Sequence, residues 1–273
     1  GFSGNFGAET QFVGANKPTT ARIIYYLKKR HTFGKMTMEI QDMEGNKLAT
    51  LSPGKSKGIN VVDWSFNTTN PKMAEAKTLS FGGFTSPRVS AGKYKVVLNK
   101  GKETYEYIIE TKYDDTAMTT LADRKKQEAL TKEMFDMVED LAYMVYEIGE
   151  MQDKAQDVIK NNPKGKKVAQ SLYDALEDLR TDLVVTTGDN YVASAEPELR
   201  ERMADLYSNI ATSYDRVSGA QLQNYELIKE EFEKEKVRYA EIKNKEGKKF
   251  MKFLEKNEMD LTMKTKEDFL GDR

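Results

Sequence analysis

Two apolar periods divide the chain. Between residues 21 and 113 the period is two. Met36, Met38 and Ile40 alternate with Thr37, Glu39 and Gln41, the pattern of a strand buried on one face. Further strands are expected at Arg22 to Leu27, Ile59 to Phe66, Lys93 to Asn99 and Glu103 to Thr111. In the last two, Tyr94, Val96 and Leu98, then Tyr105, Tyr107 and Ile109, are assigned inward. Glu44-Gly45-Asn46 leads into Lys47 to Leu51 as a hairpin, and Asn99-Lys100-Gly101 joins the final pair. Six or seven short strands in about ninety residues predict an antiparallel β-sandwich of immunoglobulin-like size. The sole tryptophan, Trp64, is expected to fill its core, and Gly82-Gly83 reads as a bend or bulge.

Beyond residue 120 the period changes. Leu130, Met134, Met137, Leu141, Met144, Ile148, Met151, Ala155 and Val158 are spaced alternately by four and three residues, an unbroken heptad seam. Thr120 and Asp123 offer a cap and Asn161-Asn162-Pro163 a stop, so the first helix spans about 41 residues and about 60 Å. A second helix, about Lys164 to Thr187, carries Val168, Leu172, Ala175, Leu179 and Leu183 and ends near Gly188. Pro197 suits the first turn of a third, with a seam of Leu199, Met203, Leu206 and Ile210. Ser218 and Gln221 form a capping box for a fourth, which carries Leu222, Tyr225, Ile228, Phe232, Tyr239 and Ile242 and weakens at Gly247.

Short connections predict antiparallel neighbours, with the first and fourth helices longest. The expected organisation is thus α+β and multidomain. An extended arm occupies residues 1–20, the sandwich 21–113, an antiparallel helical bundle 114–258 and a tail 259–273.

Composition narrows the chemistry. With no cysteine and one histidine among 273 residues, thiol catalysis is excluded and a multi-histidine zinc site cannot form. The absence of cysteine leaves the redox compartment open. No run approaches the ~18 apolar residues that a membrane-spanning helix needs. The near-neutral total of 43 basic and 44 acidic residues hides a division, since residues 1–113 carry net +8 and the remainder net −9.

Candidate sites are few. Lys28-Lys29-Arg30-His31 is a basic loop able to meet phosphate or an acidic polymer, although a solvated hairpin tip explains it as well. Asp136, Glu139 and Asp140, and Glu177 with Asp178, have the residue types of a glycosidase pair but lie on polar helix faces among lysines. Phe2, Phe6 and Phe12, in a glycine-rich arm without period, are expected to fold back on the sandwich or to dock against a neighbouring domain. No catalytic, cofactor-binding or metal residue is assigned, and nucleic-acid binding is not expected. Partner contacts are assigned to Phe2, Phe6, Phe12, Lys28, Lys29 and Arg30.

Three runs of residues carry a family resemblance. Ala21-Arg22-Ile23-Ile24-Tyr25-Tyr26-Leu27-Lys28, Gly58-Ile59-Asn60-Val61-Val62-Asp63-Trp64 and Pro87-Arg88-Val89-Ser90-Ala91-Gly92-Lys93-Tyr94-Lys95-Val96-Val97-Leu98 resemble the C-terminal segment of bacterial sortilin-like, Asp-box repeat β-propeller proteins. These Bacteroidetes-type proteins are often labelled glycosyl hydrolases. Ala122-Asp123-Arg124-Lys125, opening a long helix, is similar to the family as well, and the likeness covers approximately residues 10 to 145.

The resemblance implies an immunoglobulin-like sandwich that follows a propeller, a secreted or periplasmic setting, and the propeller as partner. The propeller repeats are absent from this sequence, so no catalytic position carries over. The function implied is that of a non-catalytic spacer and docking module. A carbohydrate-binding module assisting a glycosyl hydrolase is the alternative, and a homodimer closed through the helices is a further arrangement.

Overall fold

The computed structural model describes residues 19–115, 117–188 and 196–271. The chain is α+β, with six strands in two small antiparallel sheets followed by helices. It forms two compact units. One takes the chain up to Asn67 together with Ala91–Thr111, and the other takes Thr68–Ser90 together with everything from Lys112.

In the sheet unit, β1 (Ala21–Leu27) pairs with β4 (Gly58–Trp64) as a two-stranded ribbon. The second sheet has the order β3 (Lys47–Leu51), β2 (Met36–Gln41), β5 (Gly92–Lys100), β6 (Glu103–Thr111). The period-two pattern puts Met38 and Ile40 of β2 beside Leu98 and Val96 of β5, and all four are buried. Trp64 closes this core as expected. Its ring meets Tyr94 edge-on at 5.8 Å, and its indole N–H donates to the Asn67 carbonyl at 2.9 Å. Buried Asn60 holds the loop before β4, accepting from the Ser56 amide and donating to the Ser56 and Gly58 carbonyls.

One inward assignment is corrected. Tyr105, Tyr107 and Ile109 do share a face with Leu98, Val96 and Tyr94, as the β5–β6 register requires. Yet Tyr105 is 53 % and Tyr107 72 % exposed, and β6 has no buried residue. β6 is the edge strand of the four-stranded sheet, and the burial of that face ends at β5.

In the helical unit, α1 spans Leu121–Asn161, and the Thr120 hydroxyl accepts from the Asp123 amide. All nine seam residues are buried. The helix α2 (Lys166–Leu183) buries Ala169, Leu172, Leu176, Leu179 and Leu183, whereas Val168 and Ala175 are only half-buried. The stripe therefore sits beside the one expected, at an even heptad spacing that places Leu176 where Ala175 was assigned. This helix also ends at Leu183 and not near Gly188, because Val184 turns extended and both Val184 and Val185 are buried. Gly165, before α2, has no room for a side chain, since a Cβ there would lie 2.3 Å from the Phe253 ring.

The helix α3 (Leu199–Thr212) begins after Pro197, and α4 (Gly219–Ile242) has both hydrogen bonds of the Ser218–Gln221 capping box. Beyond α4 the backbone does not stop at Gly247. It passes through one π turn, Lys243–Gly247, into α5 (Lys248–Lys256), whose Phe250 and Leu254 are buried in the common core. A short α6 (Lys266–Gly271) ends the described chain.

A second correction concerns residues 68–90, which were expected inside the sandwich. Ala74 lies in the core of the helices, the Lys77 amide donates to the Val185 carbonyl, and the Tyr207 hydroxyl donates to the Thr85 carbonyl. This stretch straps the helices, and its Phe81–Phe84 3-10 turn sits against α3.

Candidate docking surfaces

The β1–β4 register builds an apolar face from two cross-strand pairs. Ile24 lies opposite Val61 and Tyr26 opposite Ile59, all on the side away from buried Leu27, Val62 and Trp64. Exposures are 62 % for Ile24, 63 % for Tyr26, 73 % for Ile59 and 49 % for Val61. At one end Arg22 opposes Asp63, Nε to Oδ1 at 3.0 Å, and that carboxylate raises the guanidinium pKa. On the other side of the ribbon the Tyr25 hydroxyl donates to the Gly54 carbonyl at 2.5 Å, and burial pushes its pKa up.

Lys28, Lys29 and Arg30 follow directly on β1 and are exposed. The loop they open is held by the His31 amide, which donates to the Lys55 carbonyl at 3.0 Å. Phe33, 87 % exposed, follows in the same loop. The basic residues assigned from sequence thus continue the Tyr26–Ile59 end of the apolar face. Phe2, Phe6 and Phe12 lie outside the described residues.

Sequence reasoning missed the apolar face itself. The alternation in Arg22 to Leu27 is present, but apolar residues stand at both phases, so the period does not reveal that Ile24 and Tyr26 point outward.

The carboxylates weighed as a glycosidase pair do not converge. Asp136 pairs with Lys132 at 2.5 Å, buried Glu139 accepts from the Lys72 amide at 3.2 Å, and Asp140 pairs with Lys266. Glu177 accepts from Gln152 at 2.7 Å, and Asp178 pairs with Arg238 at 2.5 Å. Among the described residues no three His, Asp or Glu side chains are grouped as metal ligands, and no helix is long and apolar enough to cross a membrane.

Two further arrangements had no sequence signal. Arg88 donates to the Thr212 and Ser213 carbonyls at the end of α3 and lies 3.9 Å over the Tyr214 ring. The tail returns to α1, where Phe269 stacks on Tyr146 at 4.8 Å and the Tyr143 hydroxyl donates to the Lys264 carbonyl at 3.1 Å.

Scans against protein-family models, curated proteins and solved structures return no match for this chain.

Proposed function

We propose that this chain is a non-catalytic docking and spacer module, an immunoglobulin-like sandwich joined to an antiparallel helical bundle, within a larger extracytoplasmic protein of the sortilin-like propeller type. One observation carries the reading. The face of Ile24, Tyr26, Ile59 and Val61 is contiguous, apolar and 49–73 % exposed, with charge at both ends. Contiguous apolar surface rimmed by polar groups marks an interaction site. The partner implied is the propeller domain of the same polypeptide, and Lys28, Lys29 and Arg30 would form the polar rim.

Hydrogen exchange tests this. The chain is compared alone and within a longer polypeptide that carries a propeller ahead of it. Amides of 24–26 and 59–61 are expected to slow in the longer form, and unchanged exchange there refutes the docking role.

A second reading rests on the exposed tyrosines. Tyr105 and Tyr107 stand two residues apart on one face of β6, and Tyr26 lies on the ribbon. Aromatic platforms of this kind suit a carbohydrate-binding module. Glycan-array binding that disappears in Tyr105→Ala and Tyr107→Ala variants would favour it, and no binding to any glycan would dismiss it.

A further inference from the structure

One end of the sheet unit collects positive charge. β1 leaves the ribbon at Leu27, opposite Gly58, and β2 enters the larger sheet at Met36, opposite Lys100. The connection 28–35 therefore crosses this end from one sheet to the other. It is tied on both sides, since the His31 amide donates to the Lys55 carbonyl at 3.0 Å and the Gly101 amide to the Lys35 carbonyl at 3.3 Å. Lys28, Lys29, Arg30 and Lys35 stand on it, the neighbouring connection 52–57 adds Lys55 and Lys57, and all six are exposed. Neither connection contains an Asp or Glu, and among the described residues none of the six holds an ion pair. Glu103, at the same end, is engaged by Lys100 at 2.6 Å. Residues 1–18 hold one carboxylate, Glu9, against one cation, Lys17, so they cannot neutralise this surface wherever they lie.

Amid this charge stands Phe33, 87 % exposed, and Gly34 at φ +91° turns the chain directly after it. Tyr26 and Ile59, 63 % and 73 % exposed, lie where the ribbon meets the two connections. Cations alone suit any polyanion, because the attraction of opposite fields is not specific to shape. The projecting ring adds a second requirement. A soluble acidic polymer satisfies the cations but gives the ring no interior to enter. An anionic bilayer satisfies both, with phosphates at the headgroups and an apolar boundary a few ångströms beneath them. Long basic side chains reach the headgroups while apolar neighbours go deeper.

We propose that this end of the sheet unit is a contact for anionic membrane surfaces, at which Phe33 enters the boundary between headgroups and acyl chains and the six cations meet lipid phosphates. The contact is peripheral, reversible and weakened by salt. It needs no propeller. Lys28, Lys29 and Arg30 are shared with the rim proposed above, but the contact belongs to the chain by itself and stands or falls apart from the hydrogen-exchange comparison.

Co-sedimentation of the full chain with vesicles of phosphatidylcholine, with and without phosphatidylglycerol, tests it. Binding is expected only where phosphatidylglycerol is present, and is expected to fall as salt rises. Each Lys or Arg close to an anionic surface strengthens binding about fivefold, so Lys29→Ala combined with Lys57→Ala is expected to weaken it about 25-fold. Phe33→Ala is expected to weaken it about tenfold. Phe33→Trp is expected to shift its emission to shorter wavelength on these vesicles, and Trp64, 2 % exposed, reports that each variant is folded. Absence of binding, equal binding to phosphatidylcholine alone, or an unshifted Phe33→Trp emission would each overturn the proposal. Inorganic polyphosphate is the competing source of phosphate: if it binds as tightly as the vesicles and Phe33→Ala weakens neither, the surface serves a soluble polyanion and the membrane assignment falls.

Discussion

Gly82→Ala tests whether residues 68–90 belong to the helices. A Cβ at Gly82 would lie 2.8 Å from the Ala204 Cβ and 2.8 Å from the Ala204 carbonyl oxygen. Neither atom can yield, because both are fixed to α3. Carbon contacts relax at about 3.5–4.0 Å, so the 3-10 turn must retreat from α3 by about 1 Å. Overpacking of this kind costs about 1–3 kcal/mol, with about 1 kcal/mol more if the Tyr207–Thr85 hydrogen bond is lost. At about 2–4 °C per kcal/mol for a unit of this size, the midpoint should fall by about 2–12 °C, or by up to about 16 °C if that hydrogen bond is lost as well.

The chain supplies two separate reporters for this experiment. Trp64, the sole tryptophan, lies in the sheet unit, while ellipticity at 222 nm reports the helices. Gly82→Ala is expected to lower the 222 nm transition and leave the Trp64 fluorescence transition in place. A shift confined to Trp64 would return residues 68–90 to the sheets and refute the assignment.

The mirror-image variant is Asn60→Ala, which removes three hydrogen bonds around β4 and should cost about 1–3 kcal/mol, read by Trp64 fluorescence and not at 222 nm. Phe269→Ala removes the stack on Tyr146 and should lower the 222 nm midpoint by the equivalent of about 0.5–1.5 kcal/mol; an unchanged midpoint would show that the tail adds no stability. Asp205, on α3, has its pKa raised chiefly by burial and then by the neighbouring Glu201. Its contribution to stability is therefore fully present below the unfolded value and is lost as pH rises through the higher folded value. Asp205→Asn should gain on the wild type across that window in denaturant titrations, and a stability difference independent of pH would contradict it.

The parts legible in the sequence are those whose contacts repeat locally. Nine seam positions of α1 at heptad spacing can point only one way on a helix, and the Ser218–Gln221 box is settled within four residues. The stripe of α2 was harder, because Val168 and Ala175 offer nearly the same spacing as Ala169 and Leu176. For β6 the alternation fixes which side chains share a face, but burial depends on what covers that face, a property of other segments. Residues 68–90 have no period, and their partners are remote: Thr85 meets Tyr207, and Thr78 accepts from Arg200. Turn-rich composition placed them with the strands, and only their docking on α1 and α3 places them elsewhere. The apolar face of β1 and β4 escaped notice because β-branched and aromatic residues favour strands whether or not anything covers them.

The polypeptide passes between its two units three times, at 67–68, at 90–91 and at 111–112. Neither unit is a continuous stretch of chain. A gene fragment ending after the last strand would carry residues 68–90 with nothing to lie on, leaving Ala74 and the Phe81–Phe84 turn in water, while a fragment starting at α1 would leave Tyr207 and Glu139 without the carbonyl and amide they bind. Each half expressed by itself is therefore expected to be recovered in poorer yield than the intact chain, and shuffling these modules between proteins requires both to move together.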